Sequence, residues 1–216
     1  MPLLVTLAPE QQPLGTVERL TRAGVIVFAG HSAATAAEID TAIAEGLCGV
    51  THFWNAMPAP EGRAPGIVVR TLTHPTLYAS IIADGHHVDP LNLALAAKMM
   101  SNRLFLVTDS MRTFAGHLQS FDIMGMPVQL DAGRLTGPDG TLAGAHLGMD
   151  AAVRTMVQTV GLRIETAIAM ATDIPARVMR LDGELGRIKL GQRASFTFMD
   201  ANLHASGVCI DGQMRD

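Results

Sequence analysis

The sequence predicts an α/β fold, a parallel sheet covered by helices on its faces, and three observations predict it. Short apolar runs, several of them β-branched, recur through the first half of the chain. Amphipathic helical stretches separate them. The runs are apolar throughout instead of alternating, as strands buried on both faces are.

Taken in order, residues 3–7 (LLVTL) read as a strand, followed by a helix around 14–23. Residues 25–28 (VIVF) form the next strand and 34–45 (ATAAEIDTAIAE) the next helix. Strands follow at 49–51, 79–83 (ASIIA) and 104–108 (LFLVT), with a helix at 91–100 between the last two. A helix of about 12 residues spans ~18 Å, which suits a return along a strand of ~5–6 residues. After residue 109 the pattern changes. Strand-like runs at 127–130 and 134–136 lie among turn signals, Asp131-Ala132-Gly133 and Pro138-Asp139-Gly140. A helix at 149–160 places Val153, Met156, Val157 and Val160 on one face. A further helical stretch covers 164–179, and the tail is rich in strands and turns.

The 216 residues suffice for one large domain, or a domain with a piece of another. With 48% hydrophobic and 17% charged residues and a net charge of −4, composition argues for a well-buried globular chain. It argues against nucleic acid or an anionic membrane as a partner. Lys98 and Lys189 are the only lysines among 16 basic residues, and no basic stripe forms. Cys48 and Cys209 are expected to be buried free thiols in a reducing compartment. No leader and no apolar run of ~20 residues is seen, so the expected location is the cytoplasm.

The chemistry stands at one end of the strands. VIVFAG leads to His31, GVT to His52, ASIIADG to His86 and His87, and LFLVT to Asp109. The C-terminal edge of the strands is where (β/α) barrels and open α/β sheets both carry their ligands. A single histidine at a strand end is usually structural; four such ends in succession point to a site. His31 and His52 are 21 residues apart, one strand-helix-strand unit, so they reach a common divalent ion. Such an ion makes water nucleophilic near neutral pH. Asp109 has the type and place of a general acid/base. His86 or His87 is available for a substrate carbonyl or hydroxyl, and only one of them can face inward. Arg63, between Gly62 and Gly66, suits an anionic group such as phosphate, or else a solvated surface.

These motifs carry a resemblance. AGHSAAT, THFWNAMPAPEGRAPG, IIADGHHVD, LVTDS, TLAGAHLGMDAAVR and GRIKLGQRASFTFMD resemble those of the N-acetylglucosamine-6-phosphate deacetylase family, within the amidohydrolase superfamily. The resemblance covers essentially the whole chain. It implies a partial (β/α)8 TIM-type barrel, about the last five strands, over residues 1–180, with residues 181–216 adding C-terminal strands of a small β-sandwich. It implies His31 and His52 as metal ligands, with zinc first and iron or manganese as alternatives. Asp109 is then the catalytic acid/base, and His87 the histidine that contacts carbonyl or sugar. Asn55 and Ala56 resemble the family's phosphate-contacting pair and Arg63 its phosphate arginine, which can come from a dimer partner. Leu142, Ala143, Gly144 and Ala145 resemble the loop that closes over the sugar. The expected partners are a phosphorylated amino sugar and, at full length, a second copy.

The chain also departs from the family. Three strands, half of the sandwich and a metal-binding glutamate are expected upstream of the residues given, which leaves two protein ligands here. Glu10, after VTLAP, reads as a loop or capping residue more than as a replacement. Ala145 stands where the family usually has serine, and Arg112–Phe114 are bulkier than usual. Trp54 is expected to pack beneath its loop. Five strands cannot close a barrel of eight. The chain by itself is therefore expected to associate through open edges and to show negligible activity.

Overall fold

The computed structural model describes residues 2–215. Five strands form one parallel sheet: β1 (Leu4–Leu7), β2 (Ile26–Ala29), β3 (Gly49–Val50), β4 (Tyr78–Ile81) and β5 (Leu104–Leu106). They lie in the order β1-β2-β3-β4-β5, every neighbouring pair parallel. An open doubly wound sheet reverses its strand order at a switch point. This one does not.

The sheet is also curved. β2 and β5 are three strand spacings apart, ~14 Å on a flat sheet, yet the rings of Phe28 and Phe105 meet edge to face at 6.2 Å. Side chains that far apart converge only on a concave face, so the sheet is an arc of a (β/α) barrel. Gly49 on β3 makes room for this packing: a Cβ there would lie 2.6 Å from the Phe28 ring and 2.6 Å from the Tyr78 carbonyl. All four residues of β2 are buried, as a strand covered on both faces requires.

The helices between strands are α1 (Thr16–Arg22), α2 (Ala36–Ala44), α3 (Gly66–Thr73) and α4 (Pro90–Met100). α2 starts with a capping box of Thr35 and Glu38, and α4 with an Asp89 cap before Pro90. The helix α3 is absent from the sequence reading. Its β-branched run IVVRTLT favours no helix locally; burial of Ile67, Val68, Thr71 and Leu72 on one face decides it.

After β5 an antiparallel sheet of β6 (Ser120–Ile123), β7 (Met126–Asp131) and β8 (Arg134–Thr136) rises from the edge that carries the site. β6 was not legible: its residues are exposed or half-buried, and the Met124-Gly125 hairpin turn carries the signal. α5 (Met149–Gln158) follows, then α6 (Ile164–Ala171) and α7 (Asp173–Val178), all packing on β5. The stretch read as one helix over 164–179 is thus two. Pro175 has no N–H for the carbonyl of Ala171, and the chain turns at Thr172 (φ −132°, ψ −76°). The tail forms a separate antiparallel sheet of β9 (Phe196–Met199), β10 (Ala205–Ile210) and β11 (Gln213–Arg215). Both cysteines are free; Cys209 is buried and Cys48 half-buried. No helix of the described residues is long and apolar enough to cross a membrane.

Candidate active site

Parallel strands in sequential order bring their C-terminal ends to one rim. His31 follows β2, His52 follows β3, and Asp109 follows β5. All three sit in the left-handed region, at φ 49°, 34° and 51°. Each such residue costs about 1–2 kcal/mol, so the surroundings must hold it there.

They do. The His52 amide donates to the buried Ser80 hydroxyl at 2.8 Å, and the Phe53 amide to the Ser80 carbonyl at 2.7 Å, so β4 clamps the His52 turn. The Glu10 carboxylate accepts from the Ser32 hydroxyl (2.7 Å) and the Ala33 amide (2.8 Å), fixing the chain beyond His31. That makes Glu10 a loop anchor with both oxygens engaged. Beneath the His31 turn, Thr6 and Thr51 share a hydroxyl hydrogen bond of 2.7 Å. Gly30 is needed there, since a Cβ would come within 2.6 Å of Thr6. The Asp109 carbonyl accepts from the Ala145 amide at 2.9 Å.

The imidazoles of His31 and His52 come together, ring centres 4.6 Å apart and nearly perpendicular. His31 is exposed, whereas His52 is only 8% exposed. Burial, with the His31 ring adding repulsion, pushes the His52 pKa below the ordinary histidine range; the Asp109 carboxylate pulls weakly the other way. His52 is therefore neutral near pH 7, the form that binds metal. Its Nδ1 is sealed from solvent with no hydrogen-bond partner among the described residues. A buried unpaired nitrogen is rare without a cause. The donor set fits a divalent ion held by two imidazoles, and no group of three metal-binding side chains exists among the described residues.

Beyond β4, the Asp84 carboxylate and the His87 imidazole form a buried pair, Oδ2 to Nδ1 at 2.6 Å. The His86 side chain is exposed and lies beside Gly133 in the β7–β8 turn. One histidine of the pair is thus inside and one outside.

Residues 53–65 form the loop after His52. Asn55 donates its amide to the His52 carbonyl at 2.9 Å, and Ala56 adopts φ 53°. Trp54 packs on the core against Phe53, ring centres 4.4 Å apart. Arg63 is exposed at the tip, inside a turn closed by mutual hydrogen bonds of Glu61 and Ala64. The second loop is bound to the Asp109 turn. Ala145 pairs with Ser110, Ala143 donates to the Leu135 carbonyl, and Leu142 bridges Thr136. Leu142, Ala143 and Gly144 are half-buried and Ala145 is buried, so the loop links the β6–β8 sheet to Asp109.

Sequence reasoning missed Ser80, Asp84 and the contact of His146 with Thr113 (Nδ1 to Oγ1, 3.0 Å). Asp84 alone had a signal, an acidic residue three positions before His87.

A profile of the amidohydrolase family matches residues 17–214. The chain is 38% identical to the N-acetylgalactosamine-6-phosphate deacetylase of Escherichia coli O157:H7, over 98% of this chain and 56% of that protein. It is 30% identical to the N-acetylglucosamine-6-phosphate deacetylase of Haemophilus influenzae, over 98% and 56%. The crystal structure of N-acetylglucosamine-6-phosphate deacetylase from Pasteurella multocida superposes with a TM-score of 0.95 at 33% identity, over 98% of this chain and 56% of that one. The chain spans about half the length of these relatives.

Proposed function

Since this chain belongs to the amidohydrolase family, we propose that it supplies the C-terminal part of a deacetylase that hydrolyses the acetamide of a hexosamine 6-phosphate, releasing acetate and the free amine. The observation that carries this is the His31–His52 pair, with its buried unpaired Nδ1, on the rim that Asp109 shares. His31 and His52 would hold a divalent ion, zinc first and iron or manganese as alternatives, and the bound ion supplies Lewis acidity and a water of lowered pKa. Asp109 holds and returns the proton that the departing amine needs. His87 contacts the acetamide carbonyl or a sugar hydroxyl. Asn55, Ala56 and Arg63 take the phosphate, the arginine through paired N–H donors, and residues 142–145 cover the sugar. In this reading residues 1–180 form the barrel part and 181–216 belong to a small sandwich; the working protein is a cytoplasmic homodimer.

Two sugars differing at one hydroxyl compete as substrate. The notion of an N-acetylglucosamine 6-phosphate substrate comes from the motifs, while the 38% identity to an N-acetylgalactosamine-6-phosphate deacetylase favours the galacto sugar. The test joins this chain to the segment of the E. coli O157:H7 relative that it does not match, and measures acetate release from both sugars. Release that falls away with His31→Ala and with Asp109→Asn is expected. A joined protein that is folded and metal-loaded but releases no acetate from either sugar overturns the proposal.

A further inference from the structure

The Asp84–His87 pair lies outside the metal-binding and proton-transferring groups, and its geometry carries an assignment of its own. The two side chains are 7% and 6% exposed, and Oδ2 of Asp84 meets Nδ1 of His87 at 2.6 Å. The other carboxylate oxygen, Oδ1, accepts the backbone amides of His86 and His87, both at 2.9 Å. Three donors converge on one carboxylate, so it cannot rotate away from the ring.

We propose that Asp84 is a positioning residue for His87: it fixes the imidazole as the Nδ1–H tautomer and leaves Nε2 as the only ring nitrogen free for a ligand. An ionised carboxylate has lone pairs and no proton, so the hydrogen between the two groups must belong to the ring. Ionisation is secure. Burial alone would raise the Asp84 pKa, but the hydrogen bonds from the His87 ring and from the two amides outweigh it and hold the value at about 2. Nε2 has no partner among the described residues, yet it is not among the polar atoms sealed from solvent. It is therefore the reachable end of the ring. A neutral His87 offers a ligand a lone pair at Nε2, and a protonated one offers an N–H; in neither state can Nδ1 compete. A tautomer fixed from behind by a carboxylate is a common way to give an imidazole one defined working nitrogen.

The assignment rests on the reading of His87 as a substrate contact, and the experiment separates the two. The joined protein, labelled with ¹⁵N-histidine, is examined near neutral pH by long-range proton–nitrogen correlation, with His87→Gln to identify the signal. The Nδ1–H form should dominate in the wild type. In Asp84→Asn the ratio of tautomers should fall roughly tenfold or more, the factor that a hydrogen bond to a charged group is worth, and Asp84→Glu should restore it in part. A wild-type His87 protonated only at Nε2, or an Asp84→Asn variant with an unchanged ratio, overturns the assignment. If Asp84→Asn does not fold, the wild-type spectrum still decides. N-acetylglucosamine 6-phosphate and N-acetylgalactosamine 6-phosphate are then titrated in, each separately. A shift at His87 Nε2 supports the contact, whereas a fixed Nδ1–H tautomer with no shift keeps Asp84's role and removes His87 from the substrate.

Discussion

His52 and His87 sit on neighbouring turns of one rim, both nearly buried, and differ in what meets Nδ1. The nitrogen of His87 is met by a carboxylate whose remaining oxygen is itself held by two backbone amides. The nitrogen of His52 has no hydrogen-bond partner among the described residues, although the amides of His52 and Phe53 are both held by Ser80. The protein therefore spends hydrogen bonds on placing His52 and withholds one from its ring. The contrast separates a ring arranged to receive a ligand at a bare nitrogen from a ring whose one nitrogen is taken so that the other can work.

Four experiments break or sharpen that contrast, in descending size. If the bare nitrogen awaits a metal, His52→Ala or His31→Ala in the joined protein should abolish stoichiometric metal, measured by elemental analysis, while the exposed His86→Ala should leave it unchanged. Full metal retention in His52→Ala would remove that ring from the site. Asp109→Asn should keep the metal and lower turnover by about 10²–10⁴, as loss of a general acid/base does; a parallel loss of metal would make Asp109 a ligand instead. Arg63→Ala should raise KM for the phosphorylated sugar by about 10–150-fold, the range for lost hydrogen bonds to a charged group. The unphosphorylated sugar should be unaffected, and equal losses on both sugars would leave Arg63 without a phosphate role.

The smallest effect belongs to the satisfied pair. The Asp84 pKa lies below its usual 3.8, at about 2. A depressed carboxylate contributes stability above its unfolded pKa and loses it as pH falls through the folded one. The contribution, of the order of 2 kcal/mol, should vanish between about pH 4 and pH 2. Denaturant unfolding at the two ends of that window should show the loss in the wild type and a flatter profile in Asp84→Asn. An identical profile in the variant would mean that the pair does not couple to folding.

Local pattern determined much of this protein. Continuous apolar runs such as VIVF, separated by amphipathic helical stretches, read as strands covered on both faces, and a histidine or aspartate soon after a run marks the reactive rim, because parallel strands share one C-terminal edge. The motifs around His31, His52 and Asp109 carried the resemblance to the family. Where local preference and packing disagree, the sequence was silent or misleading. The β-branched α3 is a helix because its buried face demands one, and the stretch over 164–179 divides at Pro175. Only the tertiary structure could decide that Glu10 anchors the loop after His31, that Ser80 holds the strained His52, and that Asp84 backs His87. Two of these contacts join residues 22 and 28 positions apart. Asp84 and His87 are close in sequence, but the near-complete burial of both side chains is a property of the folded chain.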